Sequence, residues 1–271
     1  MVWTKLWNLL EYRSDPPAVG GWFHIASWVL SIAAGVLLCC WLKDGHKYAP
    51  RVVVTVAVVV ILLEIYKIWH FGLIQGGGTF AFPWRYFPFQ FCSTPMYIGF
   101  LTLFSPAGKV RDSLYAYLAT FAVFAGLCVM ANPIQVFVPT VGINVQTMIC
   151  HGSMLTVGIY LFGSGAVKME YKTVLKALPV FAVTASIAVV LNEWAHHTGI
   201  TEQFGFNMFY FSRYGEPSLV LYSDIQRALG VSNPLNLFIY VVGFILAAYV
   251  ILFIAMGVRW VLARLRTKKE I

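Results

Sequence analysis

Apolar residues along the chain fall into seven long runs that are separated by short polar segments. An α-helix needs about 20 apolar residues to cross the hydrocarbon core of a bilayer, and the runs approach or exceed that length. The pattern predicts an all-α integral membrane protein, a bundle of about seven transmembrane helices in a single polytopic membrane domain over residues 1–271. The predicted spans lie near residues 22–42, 52–73, 89–105, 113–131, 145–163, 174–195 and 235–261.

Two segments depart from a simple span. Pro88 and Pro95 bracket the third run, and a proline in a membrane helix needs neighbouring helices to satisfy the carbonyl group that it leaves free. Residues 1–21 are amphipathic, carry Trp3 and Trp7, and end in the chain break Asp15-Pro16-Pro17, so we expect an interfacial segment. The pattern of a cleaved signal peptide is not present at the N-terminus, and the first span is expected to act as an anchor.

The composition agrees with a membrane location. Hydrophobic residues make up 59% of the chain and charged residues 11%, against about 25% charged in soluble domains. The net charge of +8 comes from short loops and from a C-terminal tail, which suits anionic lipid headgroups and argues against a nucleic-acid partner. Five cysteines without a CxxC pair predict neither a disulfide framework nor a zinc site.

The distribution of Lys and Arg predicts the orientation of the bundle. With seven spans, five of these residues fall on the side of the N-terminus and thirteen on the side of the C-terminus. Cytoplasmic loops carry the excess of positive charge, so the N-terminus is expected outside and the C-terminus in the cytoplasm. The expected location is therefore the cell membrane, with membrane lipids as partners; the sequence leaves the oligomeric state open.

Polar residues within the spans concentrate at one depth, in the outer half of the predicted bilayer. Ionisable side chains in membrane spans are costly and by default indicate function. Glu64 and Lys67 are neighbours on one helix surface, as are Lys67 and His70. Asn132, Gln146 and Asn207, which belong to the motifs described below, are expected to line or support the same site. The side chains expected to line a site at this depth are Glu64, Lys67, His70, Gln90, Cys92, Gln146, His151 and Asn192.

Cys92 and His151 are the residues with the most specific chemistry in this layer. A cysteine nucleophile needs a base to raise its thiolate fraction, and histidine is the usual one. Each also has a simpler interpretation, because a lone cysteine often packs as a small hydrophobe and a lone histidine often joins two helices by a hydrogen bond. Cys150 adjoins His151 in sequence but points about 100° away on a helix, which makes it the poorer candidate. The Glu64–Lys67 pair has an equally plausible purely structural role in fixing helix register.

The segment Phe87-Pro88-Phe89-Gln90-Phe91-Cys92-Ser93 resembles the YwaF-like family of polytopic membrane proteins, which includes eukaryotic transmembrane acyltransferases that build ether phospholipids. Other short motifs of the chain are similar to that family in the same order. They are Glu64-x-x-Lys67, Asn132-Pro133, Gln146 through His151-Gly152, Gly205-Phe206-Asn207-Met208-Phe209 and Glu216-Pro217.

The resemblance implies a lipid-modifying enzyme that uses no cofactor. Cys92 would be the acyl-accepting nucleophile, His151 the base, and a phospholipid or related acyl ester the substrate. The chain departs from the family at Gln90, where the family often has histidine; glutamine donates a hydrogen bond but cannot shuttle a proton. More distant relatives are Thr/His hydrolases of fatty-acid esters, and Thr94 keeps that variant open.

Two other classes of function remain open at this point. A metal-dependent lipid hydrolase would draw on histidine and carboxylate ligands, although no H-x-x-x-H pair lies within a span. A transporter or receptor would use the polar layer to bind a substrate, but the spans do not pair into two similar halves. The candidate metal ligands are His70, His151, His196, His197, Glu64 and Glu193.

Overall fold

The fold was analysed in a computed structural model that describes residues 8–214, 222–230 and 234–267. In these ranges the chain is helical, with a single isolated β-bridge between Arg13 and Thr140. Trp3, Trp7, Glu216-Pro217 and the last basic residues of the tail lie outside the described residues. The α-helices are α1 (Trp22–Trp41), α2 (Gly45–Gln75), α3 (Thr94–Leu101), α4 (Lys109–Ala119), α5 (Phe121–Ala131), α6 (Val141–Gly163), α7 (Lys172–His197), α8 (Ile200–Phe204), α9 (Tyr222–Leu229) and α10 (Pro234–Thr267).

Six helical segments in the described residues are long and apolar enough to cross a membrane. They are α1, α2, the combined α4–α5 segment Lys109–Ala131, α6, α7 and the Leu235–Leu265 part of α10. The protein is thus a multi-pass integral membrane protein. The α4–α5 segment, predicted as one helix, bends at Thr120, whose backbone dihedrals (φ −122°, ψ −76°) are not helical.

The third predicted span, 89–105, is not a spanning helix, so seven spanning helices are not confirmed. Its only regular element is α3, which has eight residues and is therefore about 12 Å long. Residues 91–93 form turns, and Pro95 sits in the first turn of α3, where its missing N–H costs nothing. The sequence prediction failed here because apolar character alone does not distinguish a long helix from turns that are buried inside a bundle.

The segment that contains α3 nevertheless returns the chain from one end of the bundle to the other. At the end that we call upper, the last turns of α2 lie beside the start of α6, because Tyr66 and Val141 both hydrogen-bond to residues 10–12. At the lower end, the start of α2 contacts the chain just after α6, at Ser164 and Ala166. The α4–α5 segment runs antiparallel to α6 and starts at this lower end, since Ala119 approaches Gly158 and Gly126 approaches His151.

Helix α6 forms the centre of the bundle and is its most polar long helix. Of its hydrophobic stretch, 72% is buried against the other helices. Close contact with α1 depends on two glycines, because a Cβ added at Gly35 would lie 2.9 Å from Ile159 and one added at Gly152 would lie 2.1 Å from the Ser31 hydroxyl. Small residues allow this approach in membranes, where packing rather than hydrophobic burial holds helices together. Residues on α6 therefore meet several elements at once.

The N-terminal segment closes over the upper ends of α2 and α6. The Ser14 amide donates to the Pro139 carbonyl (2.9 Å), and the Val141 amide donates to the Tyr12 carbonyl (3.0 Å). Residues 8–14 thus form a strap across the bundle, which we call the N-terminal strap. The predicted interfacial segment is fastened to the protein along these residues.

Candidate functional site

A buried ion pair and an amide join α2 to α6 in the upper half of the bundle. Lys67 Nζ lies 2.5 Å from Glu64 Oε1, one turn apart on α2. Gln146 on α6 donates from Nε2 to Glu64 Oε2 (3.5 Å) and to the Cys150 sulfur (3.3 Å). Glu64 and Gln146 are 6% and 3% exposed. A charge pair at this burial persists only where hydrogen bonds and an opposite charge compensate its desolvation, and Gln146 supplies one of those bonds.

Cys92 lies in the turn that precedes α3. The carboxylate of Glu64 and the ammonium of Lys67 are both within electrostatic range of its thiol, as is Cys150. The side chain is partly buried against the main hydrophobic core. The Ser93 and Thr94 amides both donate to the Gln90 carbonyl and so form this turn. The turn fixes the local direction of the chain at Cys92.

His151 projects from α6 with one ring nitrogen engaged and the other free. Nδ1 lies 2.7 Å from the Thr147 carbonyl oxygen. A carbonyl only accepts, so Nδ1 carries the proton and Nε2 of the neutral ring is left as an acceptor. In the described part of the chain Nε2 has no hydrogen-bond partner, and the residue is 8% exposed. A buried acceptor without a partner is unusual in native proteins, which makes this nitrogen a candidate for a functional role.

The Lys67 ammonium is within electrostatic range of both the Cys92 thiol and the His151 ring. Since His151 Nε2 has no hydrogen-bond partner in the described residues, the thiol and the imidazole are not hydrogen-bonded to each other. Unliganded catalytic groups often close this last distance only when substrate arrives. We call Glu64, Lys67, Cys92, Gln146, Cys150 and His151 the polar cluster.

Gln90, Asn192 and Asn207 hold a loop rather than line the polar cluster. Gln90 donates to the Asn207 carbonyl and accepts from the Phe209 amide, at 3.0 and 3.1 Å. Asn192 brackets Met208, accepting from its amide at 2.7 Å and donating to its carbonyl at 3.0 Å. The Asn207 side chain accepts from the Ser212 amide. Amides make such bidentate contacts because they both donate and accept, which explains why glutamine at position 90 suits the structure.

The loop fastened in this way covers the upper end of the bundle. Phe209 and Tyr210 have positive φ angles of 58° and 57°, a conformation that bulky side chains rarely adopt. It persists here because surrounding contacts impose it, including the hydrogen bond from the Tyr240 hydroxyl on α10 to the Phe209 carbonyl. Rings from two loops pack beside it, with Phe87 5.5 Å from Phe206. We call residues 205–212 the upper loop.

His70 was expected in the polar layer but is bound to the N-terminal strap. Its Nδ1 lies 2.8 Å from Glu11 Oε2, and the Tyr66 hydroxyl donates to Glu11 Oε1 at 3.2 Å. Sequence reasoning missed Glu11, which lies in the predicted interfacial segment. The only signal for it is an acidic residue in a stretch rich in aromatic and apolar residues, and its partners cannot be read from the sequence. Asn132, also expected near the site, is exposed at the end of α5 and does not join the polar cluster.

The model of the TMEM164 family matches residues 19–259. The chain belongs to this family. Every member of the polar cluster and all three amides that hold the upper loop fall within the TMEM164 match, whereas Glu11 lies outside it. Comparisons with curated proteins and with solved structures return no match.

The remaining candidates in this TMEM164 chain have other partners. The Thr94 hydroxyl is fully buried, donates to the Phe91 carbonyl and lies 2.6 Å from the Tyr117 hydroxyl, so it is engaged on both sides. His196 lies 2.5 Å from Glu202 Oε1, and Arg213 lies 2.9 Å from Glu193 Oε2, at the upper end of α7. The described residues contain no group of three histidine, cysteine or carboxylate side chains placed to hold a metal ion.

The loop outside the upper end of α7 carries one carboxyl group whose ionisation is shifted. The pKa of Glu202 lies below its ordinary value of 4.5, because its own backbone N–H and the His196 ring both bond the ionised form. Hydrogen bonds to a charged carboxylate favour it over the neutral acid. Glu202 therefore couples the short helix α8 to the end of α7.

Proposed function

We propose that this protein is a membrane-embedded acyl-ester enzyme, a transferase or hydrolase, in which Cys92 is the nucleophile and His151 the base. The observation that carries the proposal is the buried, unpartnered Nε2 of His151 in the same polar cluster as the Cys92 thiol. A base must present a free lone pair, and the Thr147 carbonyl selects the tautomer that does so.

The proposed reaction needs two acyl transfers. His151 Nε2 takes the proton of the Cys92 thiol, and the thiolate attacks the ester carbonyl of a lipid. The new carbon–sulfur bond forms, the carbon–oxygen bond of the ester breaks, and the leaving alkoxide takes the proton back from Nε2. A lysolipid hydroxyl or water then gives its proton to Nε2 and attacks the thioester, which releases the acyl group and restores the thiolate and then the thiol.

Lys67 supplies the positive charge that these acyl-transfer steps require. Its ammonium is within electrostatic range of the Cys92 thiol and the His151 ring, so it stabilises negative charge on sulfur and on the oxygen of the tetrahedral intermediate. Glu64 holds the ammonium in place through the 2.5 Å contact, and Gln146 holds Glu64. With the sidedness predicted from the basic residues, the reaction would face the outer leaflet.

The test is acyl turnover by the purified full-length chain in phospholipid vesicles that contain a lysophospholipid. Cys92→Ala and His151→Ala should each lower turnover by at least about 100-fold, the range that nucleophile and general-base loss produce. Cys128→Ala is the matched control, since Cys128 is exposed on α5 away from the polar cluster. Undiminished turnover in Cys92→Ala would overturn the proposal.

A further inference from the structure

The upper loop is tethered to the turn that contains Cys92. The Phe209 amide donates to Gln90 Oε1 at 3.1 Å, and Gln90 Nε2 donates to the Asn207 carbonyl at 3.0 Å. Gln90 lies two residues before Cys92 in the chain. Because both hydrogen bonds end on backbone groups of the upper loop, they fix the path of the loop relative to this turn.

Aromatic rings pack between the upper loop and the same turn. The ring centroid of Phe209 lies 5.3 Å from that of Phe91 and 6.1 Å from that of Phe89. Tyr210 follows Phe209 in the chain, as Cys92 follows Phe91, so this packing brings Tyr210 towards Cys92. In agreement with this placement, the Cys92 thiol is within electrostatic range of the Tyr210 hydroxyl.

The backbone at Tyr210 is held in a strained conformation. Its φ angle of 57° follows an angle of 58° at Phe209, and bulky residues rarely adopt positive φ. Such strain persists only where surrounding contacts impose it, and it concentrates at functional sites. Here the contacts are the hydrogen bonds from the Phe209 amide to Gln90 and from the Tyr240 hydroxyl to the Phe209 carbonyl. The position of Tyr210 is therefore set by the fold.

The Tyr210 hydroxyl is available as a hydrogen-bond donor. The Tyr117 hydroxyl is also within electrostatic range of the Cys92 thiol, but it lies 2.6 Å from the Thr94 hydroxyl and is engaged there. The Tyr210 hydroxyl forms no hydrogen bond within the part of the chain that the structure describes, and the residue is 38% exposed. Desolvation and then the Cys92 thiol raise the pKa of Tyr210 above its ordinary value of 10.0, against an opposing effect of Arg85. The hydroxyl thus keeps its proton at neutral pH and can donate it in a hydrogen bond.

We propose that the Tyr210 hydroxyl donates a hydrogen bond to the oxyanion that forms when the Cys92 thiolate attacks an ester carbonyl. As the carbon–sulfur bond forms, the π electron pair of the carbonyl moves onto its oxygen, and that oxygen accepts the hydrogen bond; Tyr210 keeps its proton throughout. Donors that are fixed before the reaction stabilise such a charge without reorganisation, which gives the strained upper loop a role. The inference rests on the proposed function for the acyl transfer, and it adds a catalytic residue that acts together with Lys67.

The experiment uses a palmityl trifluoromethyl ketone, which a thiolate converts reversibly into a tetrahedral adduct that carries the same oxyanion. Fluorine NMR of the full-length protein in micelles measures the fraction of ketone bound as adduct, and hence its Kd. Tyr210→Phe removes only the hydroxyl group and should raise this Kd by about 10- to 100-fold, the loss expected for one hydrogen bond to a charged oxygen. Tyr249→Phe is the matched control, because Tyr249 is a partly buried tyrosine on α10 outside the upper loop.

Two further measurements separate a donor to the oxyanion from a residue that only shapes the site. The corresponding methyl ketone, which forms no stable adduct with a thiol, should bind the parent protein and Tyr210→Phe equally well. In turnover of a phospholipid ester, Tyr210→Phe should lower kcat and leave KM unchanged, because the oxyanion does not exist in the ground state.

The outcomes distinguish this inference from the proposed function. An adduct that forms in the parent and is lost in Cys92→Ala supports the nucleophile. If Tyr210→Phe then binds the trifluoromethyl ketone as tightly as Tyr249→Phe does, the role of Tyr210 is overturned and the proposed function stands. Equal weakening of both ketones in Tyr210→Phe would also overturn the donor role, because the loss would then not depend on the oxyanion. A parent protein that forms no adduct would overturn both proposals.

Discussion

Gln146 on α6 donates a hydrogen bond to Glu64 on α2, and Glu64 in turn holds Lys67 at 2.5 Å. This hydrogen bond joins α6, at the centre of the bundle, to α2. Among the described residues, α2 carries the only buried ion pair. The hydrogen bond also sets where the ammonium of Lys67 lies relative to Cys92 and His151.

Glu64→Gln should destabilise the protein, because it leaves the largely buried Lys67 ammonium without a counter-charge. Removing one partner of a buried pair costs about 3 kcal/mol, which corresponds to a fall in Tm of roughly 6–10 °C for a chain of this size. Thermal unfolding in detergent micelles measures it. The double variant Glu64→Gln with Lys67→Met should recover part of the loss, and a double variant less stable than the single one would contradict the account.

Asn192→Ala should loosen the upper loop without affecting the polar cluster. Two hydrogen bonds to the buried backbone of Met208 are lost, at a cost of about 2 kcal/mol. Hydrogen exchange should then quicken by about tenfold or more at the amides of residues 208–209. The control is Asn132→Ala, whose side chain is exposed. Equal exchange in the two variants would show that Asn192 does not hold the loop.

Glu11→Gln should release the N-terminal strap from α2. The Glu11 side chain is 27% exposed, so the global loss is small, below about 1 kcal/mol. The local effect is larger because Tyr66 and His70 both depend on that carboxylate. Limited proteolysis should cut within residues 8–14 faster in this variant than in Asp15→Asn, which alters an exposed acidic residue in the same segment. Identical cleavage would mean that residues 12–14 are held by their backbone bonds alone.

The contact between Glu202 and His196 should contribute stability only above acidic pH. The folded-state pKa of Glu202 is lowered from 4.5, so its contribution is fully present above that value and is lost as the pH falls through the folded pKa. A plot of Tm against pH below about pH 5 should therefore fall less steeply for Glu202→Gln than for the parent. Parallel curves would show that the Glu202 contact contributes no pH-dependent stability.

Hydropathy was sufficient to predict the six long helices because a spanning helix must satisfy its own backbone and therefore leaves a long apolar run. The run 89–105 has the same composition but forms turns and an eight-residue helix, in which the Ser93 and Thr94 amides bond to the Gln90 carbonyl and the helix packs against α2. The Glu64–Lys67 contact was accessible from spacing alone, because residues three apart share a helix face.

The partners of the other polar residues were not accessible in that way. Gln90, Asn192 and His70 were predicted to lie near one another because they share one depth in the membrane. Depth does not indicate which way each side chain points around its helix axis. Gln90 and Asn192 turn towards the upper loop, and His70 turns towards Glu11. The partner in each case lies far along the chain or in a segment without regular structure, and a single sequence holds no signal for such a pairing.

The central claim is that the Cys92 thiol accepts an acyl group, and the intact mass of the protein tests it most directly. Brief incubation with a phospholipid acyl donor, without an acceptor, should add the mass of one acyl group, released by hydroxylamine and mapped to the peptide of Cys92. His151→Ala should form the adduct far more slowly, and Cys92→Ser should form no thioester. Turnover without any adduct on Cys92, or an adduct only on Cys150, would contradict the account.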